Sequence, residues 1–301
     1  MRYSIHTALP AILAIWTFAG PSQGQPGSQA AAPKRSPRYG SNPAVGKTFT
    51  HEGVRLYYEI YGSGEPLLLI HGNGASIASF GAQIDYFRRN YRVIAMDSRD
   101  QGKSADSTGK LTYEKMADDQ AALLDYLKSP PANVLGWSDG GIEALLLGIR
   151  HPANVRKIVS MAANLDPKGA YPEVIAMAKS QLDSIPANVR QTAEGKRALR
   201  VGQLVLDEPH IDPRSLEKIT APTLILASDH DLIIDEHTLD IYHHIPNSQL
   251  GIFPNATHML PYDDPELFDM TVDRFLRTAF VKKDRVKDFL KSYQAMENQQ
   301  Q

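Results

Sequence analysis

Asn133-Val134-Leu135-Gly136-Trp137-Ser138-Asp139-Gly140-Gly141 is an apolar run that breaks into a polar, glycine-flanked serine and then continues as Ile142-Glu143-Ala144-Leu145-Leu146-Leu147-Gly148. The first part reads as a buried strand and the last as a helix. Gly136-x-Ser138-x-Gly140 between them fits the G-x-S-x-G nucleophile elbow. A tight strand-to-helix turn needs glycine on both flanks, because a Cβ there would crowd the backbone. Such a turn projects the Ser138 hydroxyl from the sheet, above the positive end of the helix.

The rest of the chain repeats this strand-then-helix alternation. Thr48 to Tyr61 alternates apolar and polar residues and predicts an edge hairpin turning near Gly53. Pro66–Ile70 is a short continuous apolar run, as expected of a parallel strand covered on both faces, and Tyr91–Met96, Val155–Met161 and the buried stretch Pro222–Ser228 read as further strands. Ser248–Phe253 predicts a last strand. Ser76–Asn90, Thr112–Lys128, Ile234–Ile245 and Pro265–Ala279 carry helical signals between and after them. The predicted fold is α/β, a mainly parallel, doubly wound sheet of about eight strands. Residues 47–161 and 222–280 form its core. Residues 162–221, broken by Pro172, Pro186 and Pro209, predict a cap of short helices over the site. Residues 281–301 predict one more packed helix, with Val286, Phe289, Leu290 and Tyr293 at helical spacing, and a frayed tail.

The 301-residue chain has a net charge of −2, which suits a large buried core and leaves no electrostatic footprint for nucleic acid. Its N-terminus differs from the rest. Arg2 precedes an apolar run, Ala8–Ala19, too short to span a bilayer comfortably, and small and polar residues follow. Residues 1–24 therefore predict a secretory signal peptide, and the Gly-, Pro- and Ser-rich stretch 25–46 a disordered leader. The mature chain is expected outside the cytoplasm, secreted or periplasmic. There is no cysteine, so disulfides and a lipid-modified cysteine are excluded. No pattern specifies an oligomeric state.

A serine hydroxyl is a weak nucleophile at neutral pH and needs a base, which in turn needs an orienting acid. In elbow architectures the chain order is serine, acid, histidine. His258, just past the last predicted strand, is the candidate base. Asp229 and Asp231 both follow a strand. Asp231 sits further into its loop and is the better acid, while Asp229 reads as a brace for the turn. The backbone N–H groups of Asn73, in the turn His71-Gly72-Asn73-Gly74, and of Asp139 are the candidate oxyanion donors. His71 reads as a loop brace, and the charges of Asp97–Ser104 as ties between loops. His230, His237, His243 and His244 match no metal-ligand spacing, so no metal is expected. The Asp139 side chain has two readings: a partner for a substrate ammonium group, or a cap on the elbow helix.

Taken together, His71-Gly72-Asn73-Gly74, the Asp97–Ser104 loop, Gly136–Gly141, Asp231 and Asn255-Ala256-Thr257-His258 resemble the α/β-hydrolase superfamily across almost all of the predicted mature chain. The resemblance implies Ser138 as nucleophile, Asp231 as acid and His258 as base, with no cofactor. One departure is Ser228, where many members carry glycine three residues before the acid. Serine at 138 argues against the branches with an aspartate nucleophile. The elbow resembles that of the biphenyl-hydrolase-like branch of valacyclovir-hydrolase-type esterases, which implies small carboxylic esters, amino acid esters among them, as substrates. An amidase or iminopeptidase, a carbon–carbon bond hydrolase or a perhydrolase would share the triad. A non-catalytic receptor on the same fold would not need it.

Overall fold

The computed structural model describes residues 38–104, 108–282 and 284–299. Its centre is an eight-stranded sheet: β1 (Lys47–His51), β2 (Val54–Tyr61), β3 (Glu65–Ile70), β4 (Tyr91–Met96), β5 (Ala132–Trp137), β6 (Val155–Met161), β7 (Thr223–His230) and β8 (Ser248–Thr257). The spatial order is β1-β2-β4-β3-β5-β6-β7-β8. The β1–β2 hairpin joins β4 antiparallel, and every pairing from β4 to β8 is parallel.

The helices are α1 (Gly81–Phe87), α2 (Tyr113–Tyr126), α3 (Asp139–Arg150), α4 (Pro172–Ser184), α5 (Ala187–Arg190), α6 (Ala193–Asp207), α7 (Asp235–His244), α8 (Leu260–Asp263), α9 (Pro265–Arg277) and α10 (Arg285–Gln299). Both sheet faces are covered. Leu68, Ile70 and Val134 pack with α2, α3 and α7, whereas Leu67, Leu69 and Leu135 pack with α1 and α9. Because successive strand residues face opposite sides, covering both makes the central strands continuously apolar. Such sheets bind ligands beyond the carboxyl ends of their strands. The ends of β3, β5, β7 and β8 are therefore where the site residues belong. No helix among the described residues is long and apolar enough to cross a membrane.

Four expectations need correction or delimiting. The signal segment 1–24 and residues 25–37 of the leader lie outside the described residues. Residues 38–46, expected to be disordered with the leader, are instead pinned to the core: Tyr39 is buried and donates to Asp85 at 2.6 Å. Buried Glu59 accepts from the Gly40 and Asn42 N–H groups and from the Tyr57 and Tyr61 hydroxyls. Composition missed this, because the ties come from a carboxylate on β2. The helical insertion is also shorter than 162–221. Leu216 and Ile219 are fully buried in the core cluster that includes α3. Finally, α10 forms but is not packed: Val286, Phe289, Leu290 and Tyr293 are all exposed. Periodicity encodes a helix with one apolar face; it does not supply the partner.

Candidate active site

Ser138 sits at φ 58° and ψ −121°, a region that a side-chain-bearing residue adopts only when its surroundings enforce it. Those surroundings explain the flanking glycines. A Cβ at 136 would run into the Gly140 carbonyl, and one at 140 into the Ile70 carbonyl. The Ser138 N–H is held by the Met161 carbonyl at 2.8 Å, which ties the turn to the end of β6.

Beyond β8, His258 reaches back over the sheet. Its Nε2 lies 3.0 Å from Ser138 Oγ and its Nδ1 2.6 Å from Asp231 Oδ1. Asp231 follows β7 and is buried, as is His258. The acid is fixed by its own loop: Leu232 N–H donates to Oδ1 at 2.7 Å and Ser228 N–H to Oδ2 at 3.2 Å. Serine in place of glycine at 228 thus leaves this backbone contact intact. A carboxylate that receives these N–H groups is an acceptor, so the proton between it and the ring belongs to Nδ1. Nε2 then offers a lone pair to the Ser138 hydroxyl. The Trp137 indole N–H, donating to the His258 carbonyl at 2.9 Å, holds the backbone of that loop.

Asp229, the alternative acid, accepts from the Asn255 and Ala256 N–H groups at 2.8 and 3.0 Å. These two bonds, together with His230, hold its carboxyl down to about 2. It braces the loop that carries His258 and does not touch the ring. His71 is likewise a brace: it accepts from the Ser98 N–H and contacts the Gly72 carbonyl, and burial pushes its imidazole down to about 4. In the loop after β4, Asp97 accepts from the Ile77 and Lys103 N–H groups, and Arg99 pairs with buried Asp119. Among the described residues no cluster of histidine and carboxylate side chains could hold a metal ion.

Asn73 and Asp139 flank Ser138 from two elements, the turn after β3 and the first residue of α3. The Asp139 N–H lies in the first helical turn, where no intrahelical acceptor exists. Their side chains meet: Asn73 Nδ2 donates to Asp139 Oδ2 at 2.8 Å and to the Val201 carbonyl of α6 at 3.0 Å. Tyr113 of α2 is a second side-chain partner of Asp139. Burial raises the Asp139 carboxyl to about 6, against the opposing pull of the Asn73 and Tyr113 hydrogen bonds. Sequence reasoning missed Tyr113, whose position on an amphipathic helix marks it only as core. A cavity opens above Ser138, roofed by α4 and α6 and floored by Asn73, Asp139 and His258.

The serine on a strained strand-to-helix turn, with an acid and a histidine delivered by later strand ends of one parallel sheet, defines a hydrolase architecture. Comparison with known proteins agrees. Residues 65–209 match the family described as alpha/beta hydrolase fold. Human Serine hydrolase BPHL is 26% identical over 269 residues, spanning 80% of this chain and 91% of its own length. The 2-hydroxymuconate semialdehyde hydrolase of Pseudomonas putida is 27% identical over 270 residues, spanning 79% and 96%. Among solved structures, MGS-M2, an alpha/beta hydrolase from a Medee basin deep-sea metagenome library, superposes with a TM-score of 0.69 at 21% identity, covering 79% of this chain and 100% of its own. The chain has the α/β-hydrolase fold, its relatives are named hydrolases, and it is an enzyme of the hydrolase class.

Proposed function

We propose that the protein is a serine esterase that cleaves small carboxylic esters through an acyl-enzyme on Ser138. The observation that carries the reading is the continuous contact Asp231–His258–Ser138, at 2.6 and 3.0 Å. His258 Nε2 takes the Ser138 proton as Oγ adds to the ester carbonyl. The Asn73 and Asp139 N–H groups receive the negative charge that develops on the carbonyl oxygen. Asp231 stabilises the imidazolium and keeps its tautomer. His258 then returns the proton to the leaving alkoxide, and the C–O bond breaks. Water, deprotonated by the same ring, adds to the acyl-enzyme and releases the acid with Ser138 restored. None of these steps calls for a cofactor.

Simple acyl esters come before amino acid esters in this reading. The Asp139 side chain lines the cavity, but it is already engaged by Asn73 and Tyr113, and burial favours its neutral form at mildly acid pH. The test is labelling with a fluorophosphonate, alongside hydrolysis of matched ester and amide substrates. We expect labelling that disappears in Ser138→Ala and turnover of the ester only. Labelling that survives in Ser138→Ala would overturn the nucleophile, and faster turnover of the amide would overturn the esterase.

We also propose that the enzyme works outside the cytoplasm. The support is the sequence alone, with Arg2 followed by the apolar run Ala8–Ala19. Mass measurement of the mature chain from cell fractions tests this. Full-length protein confined to the cytoplasm would refute it.

A further inference from the structure

We propose that the site takes esters whose acyl part is an uncharged aliphatic chain, laid in the seam between α4 and α6, and that it rejects acyl groups ending in a carboxylate. The proposal rests on the ester reading of Ser138 and names its substrate class.

The walls of the cavity make the case. Ile175 and Leu182 of α4, Ile185 just beyond it, and Val201 and Val205 of α6 give the roof an aliphatic lining. Tyr113 and the His258 imidazole are its aromatic side chains, and among the described residues no lysine or arginine lines it. The acidic groups on the wall are Asp139 beside the nucleophile and Glu208 just past the end of α6, both buried. Glu208 is paired with Lys110 at 2.6 Å, but that lysine is largely exposed and does not line the cavity. An acyl chain ending in a carboxylate would lose most of its water shell among mainly aliphatic side chains, with two carboxylates on the wall and, apart from His258 beside Ser138, only the uncharged amides of Asn73, Asn164 and Gln181 to face it. An aliphatic chain gains by the same transfer.

One residue pair sets the length of that chain. Gly202 on α6 faces Leu182 on α4, and both line the cavity. A Cβ at 202 would stand 2.5 Å from Leu182 Cδ2, the far end of a side chain that can rotate. Gly202→Ala therefore displaces Leu182 within the seam and leaves less room for a long acyl group, without forcing the backbone.

The experiment compares kcat/KM of the full chain on p-nitrophenyl acetate, hexanoate and octanoate and on the p-nitrophenyl hemiester of adipate, which has the hexanoate skeleton with a terminal carboxylate. We expect hexanoate to exceed the adipate hemiester by about tenfold or more. We expect the octanoate-to-acetate ratio to fall about fivefold or more in Gly202→Ala, the scale of a methylene-sized change in an apolar pocket. Val205→Phe, filling the same seam from its other side, should lower that ratio too. Equal turnover of hexanoate and the adipate hemiester, or an unchanged chain-length ratio in both variants, overturns this proposal alone. Turnover of no ester, acetate included, by protein that still labels with fluorophosphonate overturns the ester reading and this proposal with it.

Discussion

Replacing Asp231 with asparagine tests the acid with a magnitude that follows from its hydrogen bonds. Asp231 Oδ1 receives three donors: His258 Nδ1 at 2.6 Å, Leu232 N–H at 2.7 Å and Ile233 N–H at 3.3 Å. Oδ2 receives the Ser228 N–H at 3.2 Å. Asparagine has a single acceptor oxygen. Placed at the Oδ1 position it satisfies three donors and sets its NH2 against one. The reverse orientation opposes three. The backbone therefore selects the orientation that keeps oxygen toward the ring, and His258 keeps its tautomer. What is lost is the negative charge. A hydrogen bond to a charged group contributes about 1 to 1.5 kcal/mol more than a neutral one, and the imidazolium of the transition state loses a counter-ion besides. We expect kcat/KM on p-nitrophenyl hexanoate to fall roughly 10- to 100-fold, with KM little changed. In the serine-protease triad the same replacement inverts the tautomer and costs about 10⁴. A loss of that size here would refute the backbone argument. A loss below about threefold would refute Asp231 as the orienting acid, most directly if Asp229→Asn proved the more damaging.

Three further perturbations follow from the same geometry. Asn73→Ala leaves the buried Asp139 carboxylate without its amide donor and unties α6 from the turn after β3. Stability should drop by about 2 kcal/mol in urea titration, and kcat should fall more than KM rises. Asp139 has a folded pKa of about 6 against an ordinary 3.8, so the native state binds the extra proton between those values. Its contribution to stability therefore falls as pH rises from about 4 to 6, by on the order of 3 kcal/mol. Asp139→Asn should remove that fall, so its urea midpoint should gain on the wild type between those pH values. Parallel midpoints would refute the buried, proton-binding carboxyl. Gly140→Ala drives a methyl group into the Ile70 carbonyl. It should lower stability by about 3 kcal/mol or leave the protein insoluble, and an unperturbed melting curve would show that the elbow has slack.

The readable parts of this sequence are those where one local constraint permits few residues. The elbow is legible because φ 58° at Ser138 works only if positions 136 and 140 carry no Cβ. The central strands are legible because burial on both faces leaves no polar position in runs such as Leu67–Ile70. Asp231 and His258 could be placed because each follows a predicted strand after the serine, and the position of Asp231 further into its loop ranked it above Asp229. The unreadable parts depend on partners distant in sequence. Tyr113 reaches Asp139 across the packing of α2 on α3, and Glu59 reaches back to Gly40 and Asn42 from a strand whose alternation marks it as an ordinary polar position. The exposed face of α10 fails for the opposite reason, since its spacing is fully legible and no partner among the described residues buries it.

That division also separates chemistry from specificity. The groups proposed to react are held by the core: Ser138 by its turn, Asp231 by backbone N–H groups of its own loop, and His258 by Trp137 and Asp231. The groups that would meet the rest of the proposed substrate come from α4 and α6, whose side chains at the cavity are mostly small or aliphatic. Helix α6 is linked to the core by polar contacts, Asn73 to the Val201 carbonyl, Arg200 to Asp100 at 2.5 Å and, just past its end, Lys110 to Glu208. Aliphatic side chains in such a seam can be exchanged for others of similar size at modest cost. A change at Asn73 acts on both levels at once, because its backbone N–H faces the chemistry in our reading while its amide joins Asp139 to the roof. Variants of the aliphatic residues should therefore shift the ratio between substrates, whereas variants of Asn73 should depress all of them together.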